Sequence, residues 1–147
     1  MKWVTRERAK VDRVACPWLI KNFIDPAAEF LFVPASDVLS TAAREQAYSF
    51  DAPGARYTHR DSKCSFEVLV QEYELTDPAL LRLAKIVHGA DIPIDLWDSA
   101  EAPGLKAIAE GFNMIVVDDH QKLACEFAVY DALYAWCKAK ENQRVAA

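Results

Sequence analysis

Apolar side chains recur at steps of three and four residues along the C-terminal part of the 147-residue chain, which is the spacing of one face of an α-helix. The pattern predicts a helix from about residue 118 to residue 138, about 30 Å long, which is the width of a small domain. The rest of the fold has to pack around this helix. The stripe comprises Val116, Val117, His120, Leu123, Ala124, Phe127, Tyr130, Tyr134 and Cys137.

Short strand-like and helix-like segments alternate before this helix. Residues 2–5 and 29–33 have the β-branched and aromatic character of strands, and residues 48–59 predict a hairpin. No linker or internal repeat divides the chain. We therefore expect an α+β fold that is mainly helical: a single compact domain over residues 1–140 with a small antiparallel sheet and a long C-terminal helix, followed by a polar tail at 141–147.

The charge and cysteine patterns restrict the cellular setting. The net charge of −5 disfavours non-specific binding to nucleic acid or to an anionic membrane, since both need a positive field. No apolar run approaches the roughly 20 residues of a membrane helix. Charged residues also interrupt the first eight positions, so the apolar segment that a signal peptide needs does not form there. The four cysteines form no C-x-x-C pair and are expected to stay reduced. These patterns predict a cytoplasmic protein.

The first candidate site is the segment that contains Asp12, Arg13 and Cys16 at the start of an apolar helix. Because of Pro17, that helix begins either at Asp12 or at Cys16. A helix N-terminus beside an arginine favours an anion and lowers a thiol pKa. The alternative is structural: Asp12 caps the helix, Arg13 pairs with a carboxylate, and Cys16 is packed in the core.

A second candidate site lies at His59 and Arg60, closely followed by Cys64. An imidazole and a guanidinium suit a small tetrahedral oxyanion or a carboxylate. His59 and Cys64 could instead supply two metal ligands, although that spacing alone is a weak signal. A polar turn with an exposed histidine explains the same residues. His88, near the C-terminal end of its helix, is expected to complement the helix dipole and is only a reserve ligand.

The third candidate site lies on the long helix, where Asp119 and His120 precede Asp131. His120 falls on the apolar stripe, and Asp131 is three turns further along nearly the same line. An inward-facing imidazole and carboxylate need partners. A metal ion and a buried hydrogen-bond network would both supply them.

Multi-residue strings across nearly the whole chain resemble the chromate-resistance domain family of the ChrB C-terminal type. They are Trp3-Val4-Thr5-Arg6, Asp12-Arg13, Ala15-Cys16-Pro17-Trp18-Leu19-Ile20, Phe30-Leu31-Phe32-Val33-Pro34, Thr58-His59-Arg60, Cys64-Ser65-Phe66, Gly89-Ala90-Asp91, Asp118-Asp119-His120 and Val129-Tyr130-Asp131-Ala132-Leu133-Tyr134-Ala135-Trp136. The resemblance implies an association with bacterial chromate resistance. Some longer members are regarded as chromate-responsive regulators of an efflux operon, but this resemblance carries over neither DNA binding nor a catalytic mechanism.

Three functions remain open from the sequence. The first is a domain that binds an oxyanion through Arg13, His59 and Arg60, or a divalent iron, zinc or manganese ion through His59, Asp119 and His120. The second is a small metal- or thiol-dependent enzyme, with Cys16 as nucleophile or electron donor and Asp131 paired with His120 for proton transfer. The third is an interaction module in which these polar groups are only caps and core hydrogen bonds.

Overall fold

The computed structural model describes residues 1–146 and shows six α-helices and three short strands in that part of the chain. The strands are β1 (Lys2–Arg6), β2 (Glu29–Val33) and β3 (Tyr48–Ser49). The helices are α1 (Val11–Leu19), α2 (Val38–Glu45), α3 (Ser65–Glu72), α4 (Pro78–Asp91), α5 (Ala102–Ile115) and α6 (Asp119–Ala146). A π-helical turn at Ile20–Ile24 and 3₁₀ turns at Ala35–Asp37 and Pro93–Asp98 join some of them.

The three strands form a parallel sheet in the order β2-β1-β3, so the predicted antiparallel sheet is wrong. A helix lies in each connection between strands: α1 between β1 and β2, and α2 between β2 and β3. Each helix returns the chain to the end at which the previous strand began, so the next strand runs parallel to it. The predicted hairpin is also wrong, because Phe50 pairs with Tyr57 in an isolated parallel bridge. The alternating pattern had identified strand segments but not their direction.

Helix α1 begins at Val11, so Pro17 lies inside it and the chain continues as a π-helical turn. Proline supplies no N–H for the regular helical ladder, and a wider turn is one way in which the backbone accommodates it. Asp12 is a residue of α1 and not its cap. Its carboxylate instead accepts hydrogen bonds from the backbone N–H groups of Ser65 and Phe66, at the start of α3.

Helix α6 packs against α1 and α4 and extends beyond the predicted end, so residues 141–146 of the predicted tail are helical. Tyr130 is fully buried beneath α1 and donates a hydrogen bond to the carbonyl of Val11. His120 is exposed, contrary to its place on the predicted stripe. Among the six α-helices described, none combines the length and apolar character needed to span a bilayer.

Gly89 allows the C-terminal turn of α4 to approach the start of α5 closely. A Cβ atom at this position would lie 2.7 Å from the Cβ of Ala102 and 3.3 Å from the carbonyl oxygen of Asp95. Neither neighbour is the end of a flexible side chain. At the other end of α4, the Asp77 carboxylate caps the helix by accepting the Ala79 N–H at 3.0 Å.

The Gly89→Ala variant is therefore expected to lower the free energy of unfolding by about 1–3 kcal/mol, the usual range for overpacking. Gly111→Ala is the matched control, since nothing lies within 4 Å of the added Cβ in α5. This control is expected to gain about 0.5–1 kcal/mol, because alanine is the better helix former. Urea denaturation of both variants measures the difference, and equal stabilities would contradict the close approach.

Candidate functional site

The imidazole of His59 lies among three carboxylates. Its Nε2 atom is 3.0 Å from Asp91 Oδ2, 3.3 Å from Asp51 Oδ1 and 3.4 Å from Asp12 Oδ2. The side chain of His59 is 48% exposed, whereas those of Asp12 and Asp51 are buried. We call these four residues the His59 cluster. Its three carboxylates are largely buried, and its imidazole is partly exposed.

The fold brings this cluster together at the carboxyl edge of the parallel sheet. Asp12 lies in the first turn of α1, which is the element that follows β1, and Asp51 lies in the loop that follows β3. Asp91 is the last residue of α4, and His59 belongs to the loop before α3. In open α/β sheets, ligands bind outside the carboxyl ends of the strands, and the cluster lies at this edge.

Hydrogen bonds fix the orientation of the two buried carboxylates. Asp12 accepts the Ser65 N–H at 2.7 Å and the Phe66 N–H at 3.2 Å, and the thiol of Cys16 lies 3.7 Å from its Oδ1. Asp51 accepts the hydroxyl of Ser65 at 2.7 Å. Each carboxylate keeps one oxygen within 3.4 Å of His59.

The four ionisable groups of the His59 cluster have pKa values shifted in different directions. Hydrogen bonds to Asp12 and Asp51 raise the pKa of His59 to about 10, so the imidazole is protonated at neutral pH. Burial, together with the charges of Asp12 and Asp51, raises the pKa of Asp91 to about 7. Burial also raises the pKa of Asp12. Burial acts in the same direction on Asp51, but hydrogen bonds from His59 and Ser65 outweigh it and lower the pKa of Asp51.

Two arginines border the cluster on the side of Asp51. Arg13 Nη1 and Arg6 Nη2 lie 3.5 Å and 3.6 Å from Asp51 Oδ2. Arg6 also donates from Nε to the Asp51 carbonyl, and Arg13 donates from Nη2 to the Arg8 carbonyl. Arg13 Nε is buried and has no acceptor among residues 1–146.

The donor atoms of this cluster suit a divalent cation. Asp12, His59 and Asp91 form one of two groups of three ligand atoms within 4.8 Å of one another in the part of the chain that the structure describes. One imidazole with carboxylate oxygens is a ligand set for manganese, iron or zinc. The protonated imidazole of His59 places a positive charge between these carboxylates.

The other group lies nearby and consists of Cys64, Glu67 and His88. His88 Nδ1 is hydrogen-bonded to Glu67, and His88 Nε2 lies 2.7 Å from Asp95 Oδ2. Burial acts to lower the pKa of His88, but these two hydrogen bonds outweigh it and raise the pKa. Burial raises the pKa of Cys64 far above the usual thiol range. We call this group, with Asp95, the Cys64 cluster.

Comparison with known proteins identifies the family. A model described as the C-terminal domain of ChrB matches residues 3–137. The chain belongs to the ChrB C-terminal domain family. Protein ChrB of Cupriavidus metallidurans is 39% identical over 137 residues, which are 90% of this chain and 40% of that protein. The chain therefore spans well under half the length of this ChrB relative. No solved structure matches it.

Of the residues predicted for anion binding, the structure brings Arg13 and His59 together but not Arg60. In this member of the ChrB C-terminal domain family, Arg60 Nη1 pairs with Glu72 Oε1 at 2.6 Å, at the far end of α3. Cys16 is buried next to Asp12, and burial raises its pKa well above the usual value. That environment disfavours the thiolate that a nucleophile requires.

The predicted residues on α6 lie in other surroundings. Asp119 accepts the backbone N–H groups of Arg8 and Ala9 at 2.9 and 2.7 Å, and so anchors the loop between β1 and α1. The exposed ring of His120 packs edge to face on Phe32. Asp131 accepts a hydrogen bond from Trp18 Nε1 at 2.8 Å. Eleven residues of helix place Asp131 about 16 Å along the axis from His120, too far for direct proton transfer.

Sequence reasoning missed Asp51 and Asp91 as site residues. Asp51 falls within the predicted hairpin at 48–59, and Asp91 appeared only in one of the strings that carry the family resemblance. A strand–helix–strand–helix–strand interpretation of residues 2–49 would have placed Asp12 and Asp51 at the same edge of a parallel sheet. No comparable local signal points to Asp91, because α4 packs there through tertiary contacts.

Proposed function

We propose that this domain binds one divalent cation, iron, zinc or manganese, in the His59 cluster, in a cytoplasmic sensing or detoxifying role in chromate resistance. The observation that carries the proposal is the position of His59 Nε2 within 3.4 Å of three carboxylate oxygens. Asp12, His59 and Asp91 would be the protein ligands. This ligand set retains His59 from the sequence prediction and replaces Asp119 and His120.

Electrostatics favours a cation over an oxyanion at this position. Three carboxylates surround His59, and the nearest guanidinium groups, those of Arg6 and Arg13, already face Asp51. A dianion such as chromate would meet these carboxylates at short range, where like charges repel strongly. One observation favours the oxyanion, namely the buried Arg13 Nε that lacks an acceptor within residues 1–146. A single orphaned donor is a weaker argument than three converging carboxylates.

The test is a titration of the chelator-treated protein with Mn²⁺, in which electron paramagnetic resonance measures the free ion. We expect one Mn²⁺ to bind per chain. His59→Ala should weaken binding at least tenfold, since loss of even an indirect metal partner costs about 10–100-fold. His120→Ala is the matched control, because His120 is exposed on α6, and its affinity should be unchanged.

Two results would contradict the proposal. If His120→Ala weakens binding as much as His59→Ala does, the set of His59, Asp119 and His120 is favoured instead. If the wild-type protein leaves Mn²⁺ and Fe²⁺ free and binds Zn²⁺ no more tightly than His59→Ala does, the His59 cluster is not a cation site. Chromate binding that weakens tenfold in Arg13→Ala would then favour the oxyanion, since a charge-assisted contact contributes about 1.5–3 kcal/mol.

A further inference from the structure

The Cys64 cluster shares no side chain with the His59 cluster, although both involve α3 and α4. Cys64 precedes α3 and is fully buried, and Glu67 lies in the first turn of α3. His88 comes from the last turns of α4, three residues before Asp91. The sulfur, a carboxylate oxygen and an imidazole nitrogen of the three residues all lie within 4.8 Å of one another. Glu67 and His88 are 22% and 19% exposed, so the cluster is reachable from that side.

Asp95 gives this cluster a feature typical of metal sites. Metal-binding histidines usually donate their second ring N–H to a carboxylate, which fixes the ring and its tautomer. Asp95 Oδ2 lies 2.7 Å from His88 Nε2, which leaves Nδ1 directed at Glu67. Glu67 is oriented in turn by the backbone N–H of Cys64 at 3.0 Å. The donor groups of Glu67 and His88 are therefore held in position by hydrogen bonds.

We propose that Cys64, Glu67 and His88 form a second cation site for a divalent ion that accepts a thiolate ligand, such as Zn²⁺, with Asp95 as a positioning residue. Sulfur, nitrogen and oxygen donors together suit zinc or cobalt, whereas the oxygen-rich His59 cluster suits manganese. Binding at His88 Nδ1 would displace the proton between that nitrogen and Glu67, whereas the Nε2 proton would stay hydrogen-bonded to Asp95. Coordination would also deprotonate Cys64 and release that proton to solvent. Three protein ligands leave a fourth tetrahedral position open.

The test uses Co²⁺ as a spectroscopic probe on the full 147-residue chain, because cobalt bound to a thiolate absorbs in the near ultraviolet by charge transfer. We expect this band to saturate at one Co²⁺ per chain and to vanish on addition of Zn²⁺. Cys64→Ser should abolish the band. Cys125→Ser, which alters an exposed cysteine, is the control and should keep it. His88→Gln and Glu67→Gln should weaken Co²⁺ binding at least about tenfold.

The outcome does not depend on the His59 cluster. His59→Ala should keep the thiolate band while it loses Mn²⁺, so failure of one site is distinguishable from failure of the other. A wild-type protein without the band, or a band that persists in folded Cys64→Ser, overturns the proposal. If circular dichroism shows that Cys64→Ser does not fold, the His88→Gln and Glu67→Gln variants provide the test instead. Co²⁺ binding by both variants as tight as that of the wild type would then overturn the proposed second site.

Discussion

The Asp12→Ala variant is expected to unfold with a free energy about 2–4 kcal/mol below that of the wild type, a fall in Tm of roughly 6–12 °C for a domain of this size. Asp12 is buried and accepts the N–H groups of Ser65 and Phe66 at the start of α3. Removal leaves these donors buried and unpaired, at about 1–3 kcal/mol for a group of this kind. Relief of the repulsion between Asp12 and its neighbours Asp51 and Asp91 offsets part of the loss.

Thermal unfolding measured without metal, in the presence of a chelator, isolates this structural role of Asp12. Asp12→Asn retains one acceptor oxygen and is expected to lose about half as much stability as Asp12→Ala. Asp37→Ala is the matched control, because Asp37 is exposed and its side chain caps nothing. It should remain within about 0.5 kcal/mol of the wild type. If Asp12→Ala is as stable as this control, α3 does not depend on the carboxylate from α1.

Cation affinity at the His59 cluster is expected to rise steeply with pH. A cation needs the neutral imidazole, and the pKa of His59 is raised to about 10, so one proton must leave at any pH below that value. The pKa of Asp91 is raised to about 7, so a second proton must leave below pH 7. The dissociation constant should therefore fall roughly tenfold per pH unit from 7 to 8.5, and up to about a hundredfold per unit below 7.

Mn²⁺ titrations between pH 6 and pH 8.5, in buffers that do not bind metal, measure this dependence. The side chain of the Asp91→Asn variant does not titrate in this range. The variant should therefore lose the steeper pH dependence of the dissociation constant below pH 7 and should bind the cation more weakly at every pH. The sign of the change separates the two ligands. His59 stays protonated over this range, so an anion held by His59 and Arg13 would bind more weakly with rising pH only because Asp91 gains its negative charge near pH 7. An affinity that does not change with pH would show that His59 is not a ligand.

The fold could be predicted wherever local sequence determines structure. The three- and four-residue spacing identified α6, because this signal repeats within a few residues along one helix face. Asp77 followed by Pro78 is a signal of the same local kind for the start of α4. Strand direction is set by the helices between strands and by their packing, which no strand segment encodes. The alternation near Tyr48 and Tyr57 therefore predicted a hairpin, although the two segments pair in parallel.

The same distinction, between local sequence signals and tertiary packing, applies to the residues of the candidate site. Arg13, Cys16 and His59 were found because each lies in an unusual local combination of polar residues. Asp91 is separated from His59 by 32 positions, and their contact is visible only after α4 packs beside the loop before α3. His120 shows the opposite error, since periodicity placed it in the core while its side of the first turn of α6 is exposed.

Gly89 lies between His88 and Asp91 and locks the end of α4 against Ala102. This close contact restrains the backbone that carries both donors, whereas His59 lies in a loop and is half exposed. A cation in the His59 cluster would thus meet carboxylates at fixed positions and adapt mainly through one movable imidazole. Rigid frames of oxygen donors discriminate between ions by radius. Selectivity among divalent ions in this fold would then depend on a glycine that contacts no ion.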